Sequence, residues 1–119
     1  MKIKEVSEQY DITPDTLRYY ERIGLIRNVP RDKNGIRNYS EENCNTIAFI
    51  KCMRSGNISI EGLTEYIELY NQGSRETYEA RKAILVRERD RLKERMSAMQ
   101  EALAYLNRKI ATYYDRWSK

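Results

Sequence analysis

Hydrophobic positions along this chain follow two rhythms, and the change falls near residue 73. Ahead of it, short amphipathic stretches alternate with turn signals. Beyond it, one helical pattern runs on without a Gly or Pro to stop it. In the first stretch Ile3, Val6 and Tyr10 share one helical face. Asp11-Ile12 reads as a short turn, and Thr13-Pro14 opens a second helix with Thr13 as its N-cap and Pro14 at the first helical position. That helix runs to Arg22 and stops at Gly24. Two short helices joined by a tight turn make the helix-turn-helix pattern, whose second helix lies in a DNA major groove.

The next segment, Leu25 to Pro30, is extended in character, and Asn34-Gly35 is a strong hairpin signal with Ile36-Arg37-Asn38-Tyr39 as the returning strand. A two-stranded wing over about 27–39 would carry Arg27, Arg31, Lys33 and Arg37, a cationic finger suited to phosphates. Two further short helices are expected over about 40–72. The expected organisation is therefore a winged helix-turn-helix domain over 1–73 and a single long helix over 76–118, in a mostly α protein.

Composition narrows the function. The 119 residues hold 22 Lys and Arg against 18 Asp and Glu, a formal charge of +4, and no His at all. His-based acid–base chemistry, catalytic triads and His-metal sites are thereby excluded. Cys44 and Cys52 are too few for a zinc site or a disulfide framework. No apolar run approaches the roughly 18 residues of a membrane span, and no signal peptide is evident. A cytoplasmic, nucleoid-associated binding protein without catalytic residues, cofactor, metal or membrane partner is expected, and the positive charge favours nucleic acid.

The segment Thr13-Pro14-Asp15-Thr16-Leu17-Arg18-Tyr19-Tyr20-Glu21-Arg22-Ile23-Gly24-Leu25-Ile26 closely resembles the recognition motif of the MerR family of bacterial transcription regulators. Arg37 to Glu42, Phe49 to Ser55 and the Ile58-Ser59-Ile60 helix start extend the resemblance along the chain. It implies double-stranded DNA, a palindromic promoter operator, as the partner. By similarity Arg18 reads a base edge, its paired donors matching guanine O6 and N7. Thr16 projects from the same helix, and Tyr19 and Tyr20 are assigned to backbone or sugar, although Tyr20 reads equally well as core. Arg37 and Tyr39 correspond to phosphate-contacting positions of the wing, with Lys33 beside them.

The long segment carries a heptad. Leu85, Leu92, Met99, Leu106 and Tyr113 recur every seven residues, and Met96, Leu103 and Ile110 lie three before the last three of them, a series that Trp117 extends. Lys82 and Arg89 break the seam in its first half. Nothing else in the chain is large enough to cover such a seam, so a partner helix is required. Self-association matches the antiparallel coiled-coil dimerisation helix of MerR-type regulators. A homodimer would place two reading helices on a two-fold axis. The resemblance further implies regulation by bending and untwisting promoter DNA, which acts on RNA polymerase indirectly.

No separate ligand domain is expected after the helix, which leaves the thiols. The run Lys51-Cys52-Met53-Arg54-Ser55 resembles the branch of the family that answers aldehydes and other electrophiles through one cysteine, and neighbouring cations favour a reactive thiolate. Gly56-Asn57 departs from that branch, which more often has a small residue followed by glycine. Core packing is the competing role for Cys52 and the expected one for Cys44. A Cys44–Cys52 disulfide within one helix is excluded by a Cα separation of roughly 12 Å. The alternative to a sensing regulator is an architectural DNA-binding protein that recruits partners through its coiled coil.

Overall fold

The computed structural model describes the backbone of residues 1–118 and side chains through Tyr113. It contains five helices: α1 (Ile3–Tyr10), α2 (Pro14–Arg22), α3 (Glu41–Ser55), α4 (Ile60–Gln72) and α5 (Tyr78–Ser118). Trp117 of the heptad reading lies outside the described side chains.

Each boundary has a local chemical cause. Asp11 takes the left-handed conformation (φ 53°) and ends α1, while the Lys51 ammonium donates to the carbonyl of Tyr10, a cation where the helix dipole is negative. Thr13 Oγ1 then accepts from the Thr16 amide at 3.2 Å and starts α2. At the other end the Tyr20 carbonyl accepts from the amides of Leu25 (2.9 Å) and Ile26 (3.2 Å), a reversal that needs φ 86° at Gly24. Ser40 and Asn43 cap α3 reciprocally, at 3.1 and 2.9 Å. Asn43 Nδ2 also donates to the Arg27 carbonyl at 3.0 Å, so this buried amide ties α3 to the base of the wing.

The end of α3 settles the geometry of Gly56-Asn57. Asn57 donates to the Arg54 carbonyl (2.9 Å) and Ile58 to that of Met53 (3.1 Å), and the left-handed residue is Asn57 (φ 61°). This is the Schellman arrangement with Asn at the position glycine favours. Gly56 is the C-cap, one place earlier than the glycine of that branch, and asparagine tolerates the left-handed region well enough to hold residue 57 after it.

Val6, Leu17, Leu25, Ile26, Ile47 and Ile50 are the fully buried side chains, and they come from α1, α2, the segment after α2, and α3. Ile58, Leu63, Ile67 and Ile84 continue the core past α4. At the α4–α5 junction Thr77 Oγ1 reaches the carbonyls of Leu69 (2.9 Å) and Gly73 (2.6 Å). Arg81 donates to that hydroxyl at 3.1 Å and lays its guanidinium over the rings of Tyr66 and Tyr70.

The wing is smaller than expected. Among the described residues no strand forms: an isolated antiparallel bridge joins Arg31 to Arg37, supported by Asp32 N–H to the Ile36 carbonyl and Asn38 N–H to that of Pro30, both 2.8 Å. Leu25 and Ile26 enter the core at once, and Asn28 turns left-handed (φ 56°), which interrupts any extended run before Pro30. The tip turn spans Asp32–Gly35 with Gly35 at φ 77° and the Gly35 amide donating to the Asp32 carbonyl at 2.9 Å. Asp32 Oδ1 accepts from the amides of Asn34 and Ile36, and its Oδ2 meets the Lys2 ammonium at 2.7 Å. These bonds hold the Asp32 carboxyl below its usual range, the Lys2 contact contributing most.

Two compact units result, Met1–Ile84 and the rest of α5 from Leu85. The second unit is a bare helix.

Candidate nucleic-acid interface

Leu17 and Tyr20 of α2 face the core and, by the same periodicity, Asp15, Arg18, Tyr19 and Arg22 face outward. Arg18 Nη1 donates to Asp15 Oδ1 at 2.9 Å, one turn back. Both side chains are well exposed, so this pair holds Arg18 weakly and leaves its donors available to a base edge. Tyr19 is 42% exposed, with the Arg22 guanidinium 5.6 Å from its ring centre. Thr16 receives a hydrogen bond from the Thr13 hydroxyl onto its own Oγ1 at 2.9 Å, and so sits half-buried beside the cap.

Beside α2 the wing brings its arginines back against the helix. Glu21 Oε1 accepts from Arg37 Nε at 2.8 Å, and Glu21 Oε2 accepts from Arg31 Nη2 at 2.9 Å. One carboxylate thus bridges two arginines across the helix and the hairpin. Lys33 stands exposed in the tip turn. Arg27 turns away, its Nε donating to the Gly24 carbonyl at 2.9 Å.

The structure turns two tyrosines expected at the DNA inward. Tyr20 lies three residues after Leu17 and shares its buried face. Tyr39 is 2% exposed, and its amide donates to the Met1 carbonyl at 2.7 Å. The Tyr39 hydroxyl is buried with no hydrogen-bond partner. Burial raises its pKa, with the opposed fields of Arg37 and Glu21 following, so the phenol keeps its proton and is a donor lacking an acceptor. Sequence reasoning missed Glu21. Its place among the polar positions of α2 reads as solvated surface until the wing is folded beside it.

On α3, Cys52 is exposed and Cys44 half-buried, both free thiols. The two cations beside Cys52 in sequence are drawn elsewhere: Lys51 to the Tyr10 carbonyl and Arg54 to that of Ile58, at 2.6 Å for the latter. The Ser55 hydroxyl donates to the Cys52 carbonyl at 2.6 Å. Cys44 lies by the Tyr10 phenol, whose pKa is raised chiefly by burial and then by this thiol.

Along α5 the apolar heptad faces solvent. Leu85, Met96, Met99, Leu103, Leu106, Ile110 and Tyr113 are all exposed, Ile110 the most at 70%, and Leu92 is half-buried. Among the described residues no cluster of metal-ligating side chains occurs, and no helix is long and apolar enough to cross a membrane.

A helix-turn-helix with a basic hairpin clamped beside its second helix is the architecture of a DNA-binding protein. Residues 1–69 match the MerR HTH family of regulatory proteins, and the chain belongs to that family. It is 54% identical over 92 residues to the HTH-type transcriptional regulator AdhR of Bacillus subtilis, a match covering 77% of this chain and 65% of AdhR. The chain thus spans about two thirds of that relative's length. It is 29% identical over 112 residues to the regulator ZntR of Escherichia coli, covering 89% of this chain and 77% of ZntR. A MerR family regulator from Listeria monocytogenes has the same fold, with a TM-score of 0.88 and 43% identity over 95% of this chain and 85% of that one. HiNmlR, a MerR family regulator lacking the sensor domain and solved bound to promoter DNA, superposes with a TM-score of 0.85 at 22% identity, over 99% of this chain and 94% of that one. The protein is a MerR-family transcriptional regulator with a DNA-binding helix-turn-helix, and the relatives it matches are regulators rather than enzymes.

Proposed function

We propose that the protein acts as a homodimer on a palindromic promoter operator, alters transcription by bending and untwisting the DNA, and is switched by electrophiles at Cys52. The observation that carries the dimer is the exposed seam on α5. Five large apolar side chains, Met99, Leu103, Leu106, Ile110 and Tyr113, are each more than half exposed along one face of a 41-residue helix roughly 60 Å long. An apolar face of that length without an internal cover calls for a second helix, and an identical one presents the same heptad.

Base reading falls to Arg18, with Thr16 and Tyr19 beside it on α2, and phosphate contact to Arg37 and Lys33 of the wing. Tyr20 and Tyr39 support α2 and the wing from the core side and leave the DNA contacts to their exposed neighbours. Cys52 supports the sensing role by its exposure: a free thiol on the surface of α3 is open to a formaldehyde- or methylglyoxal-sized reagent. RNA polymerase responds to the altered promoter rather than through a dedicated contact surface.

The test is transcription from a promoter carrying the operator, with wild type and Cys52→Ser, across formaldehyde, methylglyoxal and diamide. Switching by wild type and none by the serine variant is the expected result. Equal behaviour of the two proteins removes Cys52 from the mechanism, and the absence of any switching favours the architectural role.

A further inference from the structure

We propose that Glu21 is a specificity-determining positioning residue: by bridging Arg31 and Arg37 it fixes the wing against α2, so that phosphates are contacted only in the register α2 reads. This rests on the DNA-binding reading above. A carboxylate on a phosphate-facing surface repels every DNA alike and lowers affinity without regard to sequence. What Glu21 supplies instead is geometry. Its two oxygens take one charge-assisted bond from each arginine, at 2.8 and 2.9 Å, with the carboxylate only 23% exposed. The other acids on this side have different partners, Asp15 with Arg18 and Asp32 with Lys2.

The wing's other ties run away from α2: Asn43 of α3 holds the Arg27 carbonyl, Lys2 meets Asp32, and Met1 pairs with Asn38 and Tyr39. One backbone bridge and a tip turn form it, and no strand ladder sets its angle to α2. Released from Glu21, Arg31 and Arg37 are long flexible cations on a short hairpin, free to meet phosphates of any sequence. Phosphate contacts fix orientation, and base contacts then read sequence only if that orientation is correct. The bridge therefore exchanges affinity for register.

Two substitutions separate charge from reach. Glu21→Gln keeps the length and removes the charge. Glu21→Asp keeps the charge, but one methylene shorter it cannot hold both arginines. A duplex selected by wild type from a randomised pool serves as operator, and an unselected duplex as control, each titrated across a salt series. Melting and dimer content are recorded for every variant. Both variants are expected to lose about tenfold in the ratio of operator to control affinity, comparable to one mismatched base pair. Only Glu21→Gln is expected to bind the control duplex more tightly, with a salt slope steeper by about one to two units.

Wild-type selectivity in a folded Glu21→Asp or Glu21→Gln protein overturns the proposal. So does an equal loss on both duplexes accompanied by a lower melting temperature, which would mark Glu21 as merely structural. If wild type itself enriches no duplex, the DNA-reading assignment fails and this one with it. A selective wild type with selective variants removes Glu21 alone.

Discussion

Replacing Leu92 and Leu106 by Lys in the same chain is expected to break the protein into monomers. The two leucines lie two heptads apart on the α5 seam, and a dimer buries four of them. Burying a leucine side chain stabilises by about 1.5–3 kcal/mol, so removing four withdraws roughly 6–12 kcal/mol of association free energy before any cost of placing ammonium groups in the seam. A dimer with a dissociation constant near 1 nM holds about 12 kcal/mol. The smaller loss already weakens it about ten-thousandfold, to the range of 10 µM, and the larger abolishes it. Sedimentation equilibrium at low micromolar protein reads the result directly. Glu94→Lys is the control, since it changes the charge by the same two units but lies off the seam. The monomer is expected to keep a folded first unit, to lose helicity along α5, which is marginal alone, and to bind the full operator no better than a half-site. A variant that sediments as a dimer refutes the assignment of these positions to the interface. A monomer that binds the full operator as tightly as wild type refutes the link between dimerisation and DNA reading.

Arg18→Ala is expected to lose about 1–3 kcal/mol of discrimination at one base pair of each half-site. Selection from a randomised duplex pool checks this, and uniform weakening on every sequence would reassign Arg18 to the backbone. Asn57→Ala should destabilise the first unit by about 1–2 kcal/mol, since alanine lacks asparagine's tolerance of the left-handed region, whereas Asn57→Gly should be neutral or stabilising in denaturant titrations. Asp32, whose carboxyl pKa is lowered by Lys2 and the Ile36 amide, contributes stability that is full above the unfolded carboxylate value of about 3.9. That contribution is lost as pH falls through the lower folded value. The stability difference between wild type and Asp32→Asn, measured by urea unfolding across that window, should therefore vanish in acid, and a constant difference would exclude the ion pair as its cause.

Helix ends were the most legible part of the sequence, because they are written in single residues with local chemistry. Thr13-Pro14 opens α2 as expected, Gly24 ends it, and α4 closes at the glycine marking the change of rhythm at residue 73. The inward turn of Tyr20 was half legible, since its spacing from Leu17 favours burial while its chemistry suits DNA. Contacts between segments distant in sequence were not legible. Lys51 reads as a neighbour of Cys52, yet it spends its charge 41 positions away on the end of α1. Glu21 meets arginines 10 and 16 residues on, and only the folded hairpin brings them to it. The wing was overestimated for the same reason: the extended character of Leu25–Pro30 and the Asn34-Gly35 signal suggested two strands, but Leu25 and Ile26 are claimed by the core and Asn28 turns left-handed.

The tip turn of the wing also governs how this protein ages. An exposed Asn-Gly pair is highly prone to deamidation: the glycine amide nitrogen attacks the asparagine side-chain carbonyl, ammonia leaves as a succinimide ring closes, and water opens that ring to a carboxylate. In this turn the nitrogen that would attack, that of Gly35, has its proton held by the Asp32 carbonyl at 2.9 Å, and the Asn34 amide is fixed by Asp32 Oδ1 at 2.8 Å. The folded wing thus protects its own weakest bond. Unfolding, or loss of Asp32, should release a slow chemical clock that mass spectrometry follows as a gain of about one dalton. That one event would set a new carboxylate beside Lys33, so the hairpin proposed to contact phosphate would lose one unit of positive charge with time rather than with any signal.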